Sequence, residues 1–217
     1  MGSEPGGATP ERASFVQSLE ALKRQGSNVL VVGTTAVKPH DAVCGRLMGT
    51  GSVDSRSRIV VTTDWSRVVS ADCCGPEATQ FLVLGDGDRA EEEIPDNATE
   101  VSLLGVLGTT FVELINDIEA DMDLDPSQLR VCVDSVSDLV EMYDTENVFR
   151  LLHAMTTRIR QSRGMGHYHL PIDRAEEAVS LYEPLFDAVI TLRTNGERIE
   201  HRWDLRDGTA QTDWIDL

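Results

Sequence analysis

Gly33-Thr34-Thr35-Ala36-Val37-Lys38-Pro39-His40-Asp41 follows the apolar run NVLVVG. A glycine between a buried strand and a helix is where backbone N–H groups can cradle phosphate. Counted from Gly33, such a loop requires glycine at position 38, lysine at 39 and a hydroxyl residue at 40. The chain instead has Lys38, Pro39 and His40, and Asp41 brings negative charge to the place where a phosphate would lie. Proline also removes one cradle N–H. No cofactor is therefore expected. If nucleotide binding is retained, Gly33, Thr34, Lys38 and Asp134 are the residues to hold ATP and Mg²⁺, with Asp134 as the metal ligand.

Asp134 lies in VCVDSVSDL, residues 131–139, where it leaves an apolar strand. A carboxylate there can reach a Mg²⁺ shell, or it can cap the short helix that follows together with Ser135 and Asp138. Capping is the expectation. His167 and His169 are two apart on a strand and so share one face, which suits chelation. No third ligand can be placed beside them by spacing, so packing is the expected role. Cys44, Cys73, Cys74 and Cys132 include no C-x-x-C pair and no Cys–His spacing of a zinc site. They read as free thiols, and Asp72 beside Cys73-Cys74 argues against a redox nucleophile there. No G-x-S-x-G elbow occurs.

These residues need elements to position them. Residues 1–12, rich in Gly, Pro, Ser and Glu, read as a disordered tail, and 13–217 as one domain. A helix is expected from a Ser14–Gln17 capping box to Gln25. Strands are expected at 28–33, 58–64, 80–86, 129–135 and 166–172, where continuous apolar runs imply a sheet covered on both faces. A Thr110–Glu113 box opens a helix to about Ala120 whose stripe is Leu107, Phe111, Leu114, Ile115 and Ile118. Asp144 to Arg163 is a second helix, acidic at its start and basic at its end. Asp173 and Glu176 cap a further helix. FDAVITLRT and ERIEHRWDL form a hairpin around an Asn195-Gly196 type I′ turn. The sum is an α/β domain with a mostly parallel sheet, flanking helices and a C-terminal antiparallel hairpin.

The chain of 217 residues carries 37 acids against 19 bases, a net charge of −18. Eighteen of those acids lie between Asp86 and Glu146, with two bases. A field of this sign repels phosphate and anionic lipid, so nucleic acid and membrane are excluded as partners. The acidic stretch reads as a solvated face, with docking of an arginine-rich partner as the functional alternative. Seventeen arginines with only Lys23 and Lys38 as lysines suit a cytoplasm holding molar salt, where the Debye length falls to about 3 Å. No apolar stretch or leader suggests export, so a cytoplasmic location is expected.

Strand, degenerate loop, helix, then an apolar strand ending in Asp134-Ser135-Val136 resembles the RecA/KaiC-like branch of P-loop ATPases, over about residues 14–206. KRQGSNVLVVG, LRVCVDSVSDL, RGMGHYHLPID and LFDAVITLR look like a haloarchaeal family of KaiC-related proteins often labelled HTR-like, here with a degenerate Walker A motif. The resemblance implies a RecA/KaiC-like P-loop NTPase fold, and a catalytic glutamate just after the second strand, where this chain has Asp64. A carboxylate shorter by one methylene misplaces its charge by about 1 Å, enough to cost about a hundredfold. The resulting expectation is a non-hydrolysing pseudo-ATPase that acts as a regulatory or scaffold protein through protein–protein contact. A slow ATPase or nucleotide sensor with a non-standard loop is the alternative. Assembly into a homo-oligomer is implied by analogy alone.

Overall fold

The computed structural model describes residues 10–49, 56–70, 79–87, 90, 94–206 and 211–217. Cys73, Cys74 and residues 1–9 lie outside them. The elements run α1 (Pro10–Gln25), β1 (Ser27–Gly33), α2 (Val37–Met48), β2 (Ser57–Thr62), α3 (Ser66–Ser70), β3 (Thr79–Leu84), β4 (Ala98–Val101) and α4 (Leu104–Asp121). They continue through β5 (Leu129–Val133), α5 (Val136–Met142), α6 (Thr145–Gln161), β6 (Met165–His169), α7 (Glu177–Tyr182), β7 (Ala188–Asn195), β8 (Arg198–Leu205) and β9 (Ile215–Asp216). One sheet has the order β4-β3-β2-β5-β6-β1-β7-β8-β9. Neighbours from β4 through β7 are parallel, and β8 and β9 are added antiparallel.

Because side chains alternate across a strand, each strand feeds two cores. On one face Leu30, Val32, Ile59, Val61, Val131 and Val133 meet α4, α5, α6 and α7 in one continuous apolar cluster. On the other, Val60, Phe81 and Val83 pack under Met48 and Val68, while Val29, Val31 and Ile190 pack under Val43 with Phe15 and Leu22 of α1. The connection from β1 to β2 must jump β6 and β5, so α2 lies across those two strands. That jump decides which side chains meet beneath α2.

Several boundaries differ from the sequence expectation. Helix α1 begins at Pro10, so Pro10–Arg12 are helical and Ser14 is interior rather than a cap. Proline suits a first turn, whose N–H groups have no partner anyway. Helix α4 begins at Leu104, placing Thr110 and Glu113 in its middle. Its N-cap, Leu103, makes no side-chain cap bond, and burial of Leu107, Phe111 and Ile115 carries the helix past the predicted start. Asp144 does cap α6, accepting from Asn147 N–H at 3.0 Å. Glu176 is the N-cap of α7 without a side-chain bond, while Asp173 closes a preceding turn through Ala175 N–H. The β7–β8 turn is shifted by one: Asn195 pairs with Arg198, leaving Gly196-Glu197 as the loop. Among the described residues only glycine, Ser127 and Arg163 have positive φ, and Gly196 stands at +63°. A lone glycine at the first central position fits type II′, not I′. No helix among the described residues is long and apolar enough to cross a membrane.

Candidate functional site

The carboxyl ends of β1, β2, β5 and β6 converge beside the point where α2 leaves β1. That crevice is where open parallel sheets bind ligands. Gly33 ends β1 with φ +111°, and a Cβ there would lie 2.1 Å from Leu192 O of β7, so only glycine fits. Three residues then connect to α2, and the donors of Gly33 and Thr34 are engaged by neighbouring backbone carbonyls. Gly33 N–H donates to Ile172 O at 2.8 Å and Thr34 N–H to Leu192 O at 3.2 Å. Ala36 N–H donates to Thr34 Oγ1. Lys38 stands exposed on the first turn of α2.

Arg67 of α3 occupies the opposite wall. Its Nε lies 2.8 Å from Asp134 Oδ2 and its Nη1 2.7 Å from Asp41 Oδ1, with the arginine side chain 16% exposed. The guanidinium thus bridges the carboxylate leaving β5 to the acid on α2. This corrects the expected capping role of Asp134. The N-cap of α5 is Ser135, and even its hydroxyl does not cap. Ser135 Oγ accepts from Thr63 N–H at 3.0 Å, and Asp138 accepts from Thr63 Oγ1, so both are drawn toward β2. Asp64 accepts from Ser66 N–H at 2.8 Å and Ser66 Oγ at 2.6 Å. Those two hydrogen bonds, with the charge of Arg67, hold its carboxyl below the usual range against the cost of partial burial.

Behind Arg67, beneath α2, lies a buried polar group that spacing did not reveal. Cys44 comes from α2, Cys132 from β5, and His167 and His169 from β6; all four are at most 2% exposed. Cys132 is the direct register partner of His167 across β5 and β6. Cys44 Sγ lies 3.5 Å from Cys132 Sγ and 3.4 Å from His167 Nε2. One ring nitrogen of each histidine and both sulfurs all lie within 4.8 Å of one another. His40 joins from the α2 start: its Nδ1 is 2.9 Å from His169 Nδ1, and its Nε2 is 2.8 Å from Thr34 O.

Burial lowers the pKa of His40, with the Thr34 carbonyl and Asp41 acting in opposition. Burial, then His167, His40 and Arg67, holds His169 well below its ordinary 6.5. Burial favours the neutral form of both rings, and a neutral imidazole has one N–H and one lone pair. Thr34 O can only accept, so His40 Nε2 carries the proton and His40 Nδ1 accepts from His169 Nδ1–H. His169 Nε2 is left as a bare lone pair, and it has no hydrogen-bond partner. An unsatisfied buried acceptor costs about 1–3 kcal/mol.

The fold is a KaiC-like α/β fold. A KaiC-like protein from the hyperthermophilic archaeon Pyrococcus horikoshii has a similar crystal structure, with a TM-score of 0.61 at 11% sequence identity, over 88% of this chain and 85% of that one. At that identity the likeness speaks for the fold alone. Residues 26–192 match the model of a family of unknown function, DUF7504, and the chain belongs to that family. Among curated proteins none matches the sequence.

Proposed function

We propose that this chain is a non-hydrolysing, pseudo-ATPase member of the KaiC-like group, acting as a regulatory or scaffold protein through protein–protein contact in a haloarchaeal cytoplasm. The observation that carries the reading is Arg67, an internal cation held between Asp134 and Asp41. In a nucleotide-dependent relative the carboxylate at Asp134 would face Mg²⁺; here a guanidinium already neutralises it. The engagement of Gly33 and Thr34 N–H by Ile172 O and Leu192 O supports the same reading, as does Asp64, engaged with Ser66. Exposed Glu113, Asp117 and Asp121 on α4 suit contact with an arginine-rich partner.

Calorimetry with ATP and Mg²⁺ at high salt tests this. The expected dissociation constant is weaker than about 1 mM, less than about 4 kcal/mol. Micromolar binding that disappears in Lys38→Ala would instead establish the nucleotide-sensor reading, which the exposure of Lys38 beside the loop favours. The saline habitat has its own test. Raising KCl from about 0.1 M to 2 M shortens the Debye length from about 10 Å to under 3 Å, and the unfolding midpoint should rise, because repulsion among the acids of 86–146 is screened. A constant midpoint would remove the halophilic part of the proposal.

A further inference from the structure

We propose that Cys44, Cys132, His167 and His169 form a buried, tetrahedral Cys₂His₂ site for a zinc-class divalent metal that fastens α2 to β5 and β6. The donor set is the first ground: two sulfurs and two imidazole nitrogens within 4.8 Å of one another, all buried. Thiolate and imidazole together select zinc and its neighbours rather than Mg²⁺ or Ca²⁺. Bond lengths of about 2.3 Å for Zn–S and 2.0–2.1 Å for Zn–N put adjacent tetrahedral donors roughly 3.4–3.8 Å apart. The Cys44–Cys132 sulfur separation of 3.5 Å and the Cys44 Sγ–His167 Nε2 separation of 3.4 Å already fall in or near that span.

An independent ground is the hydrogen-bond chain Thr34 O, His40, His169. It engages His169 Nδ1 with His40, while the buried Nε2 of His169 has no hydrogen-bond partner among the described residues. Metal-binding histidines are usually oriented in this way, through an N–H given to a neighbour on the far side of the ring. His40 is thus a positioning residue that couples the metal site to the loop after β1. Four protein donors and no exposed side leave no open coordination position, so the metal is structural rather than catalytic. The inference stands whether or not the crevice binds nucleotide.

The test uses the full chain, purified in reductant at about 2 M KCl and stripped with a chelator, a salt concentration chosen to screen its surface charge. Titration with Zn²⁺ or Co²⁺ should saturate at one metal per chain and raise the unfolding midpoint. The cobalt form should show the intense visible bands of tetrahedral geometry and a thiolate charge-transfer band. Cys132→Ser and His169→Gln should each weaken binding by about 100-fold or more, and His40→Ala by about 10- to 100-fold. Lys38→Ala should bind metal as the parent does, whatever its effect on nucleotide. Where a ligand variant fails to fold, the parent's cobalt spectrum decides: octahedral, sulfur-free absorption overturns the site. So does unaltered affinity in a folded Cys132→Ser, the lack of saturable binding, or a Cys44–Cys132 disulfide found by peptide mapping under non-reducing conditions.

Discussion

The two faces of the sheet solve the same burial problem in different ways. Under α4–α7 the inward residues form a single apolar body running from Leu84 through Val133 to Val189. Among its buried polar groups, Tyr168 OH donates to Asn28 Oδ1 and Asn28 Nδ2 donates to Thr156 O. Under α2 the apolar material is split in two, one body around Phe81 and Met48 and another around Val31 and Ile190. Between them sit Cys44, Cys132, His167, His169 and His40. Polar groups in such a position cost stability unless they bond to something, so the divided face carries specificity and the continuous face carries most of the stability.

The largest effect expected from this contrast is on the continuous face. Phe111→Ala removes a fully buried ring and should cost about 3–5 kcal/mol. Urea midpoints measured at constant salt, with and without chelator, should show the same loss in both conditions. A loss that depended on chelator would mean that the two faces are not energetically separate.

A smaller effect is expected where the divided face reaches the crevice. Asp134→Asn and Asp134→Ala should destabilise alike, by about 1–3 kcal/mol, since each leaves Arg67 with one carboxylate instead of two. If Asp134 were a helix cap, asparagine would be nearly silent. Denaturation of the two variants side by side separates these outcomes.

The smallest effect concerns Glu119, which joins α4 to α6 on the continuous face. The hydrogen bond from Arg158 holds its carboxyl below the ordinary 4.5, with Ser162 and the arginine's charge adding to it against a small burial penalty. A carboxylate lowered by folding stabilises above its unfolded pKa, and that contribution is lost as pH falls through the folded one. Glu119→Gln should therefore flatten the stability profile below about pH 4.5 and leave it nearly unchanged near pH 7, beyond a surface pair's usual fraction of a kcal/mol. Thermal melts of both chains across that pH range measure the difference.

Element order was legible because it rests on local pattern. Continuous apolar runs marked β1, β2, β3, β5 and β6, and the acidic start and basic end of 144–163 marked α6. Helix starts were less legible: Ser14 and Thr110 have capping-box spacing, yet both helices begin before them, and in α4 burial of Leu107, Phe111 and Ile115 carries the earlier start. Strand β4, with its pattern of mixed exposure, carries no apolar run to read. The degenerate loop was readable residue by residue, since a missing glycine and an inserted proline are local facts.

What the sequence by itself determined is thus the parallel sheet, its hairpin edge, and the departure of residues 33–41 from the pattern of a phosphate-binding loop. Only the tertiary structure decided that Arg67 pairs with Asp134 and that Cys44 lies over Cys132, His167 and His169. Those partners are separated by 67, 88, 123 and 125 positions along the chain. No periodicity links them: they meet because the chain leaves β1, passes over two strands that have not yet been made, and returns at β2. The face on which a cysteine or histidine lies follows from a strand's period of two, but which helix covers it follows from strand order, and strand order is set by the packing of the whole sheet.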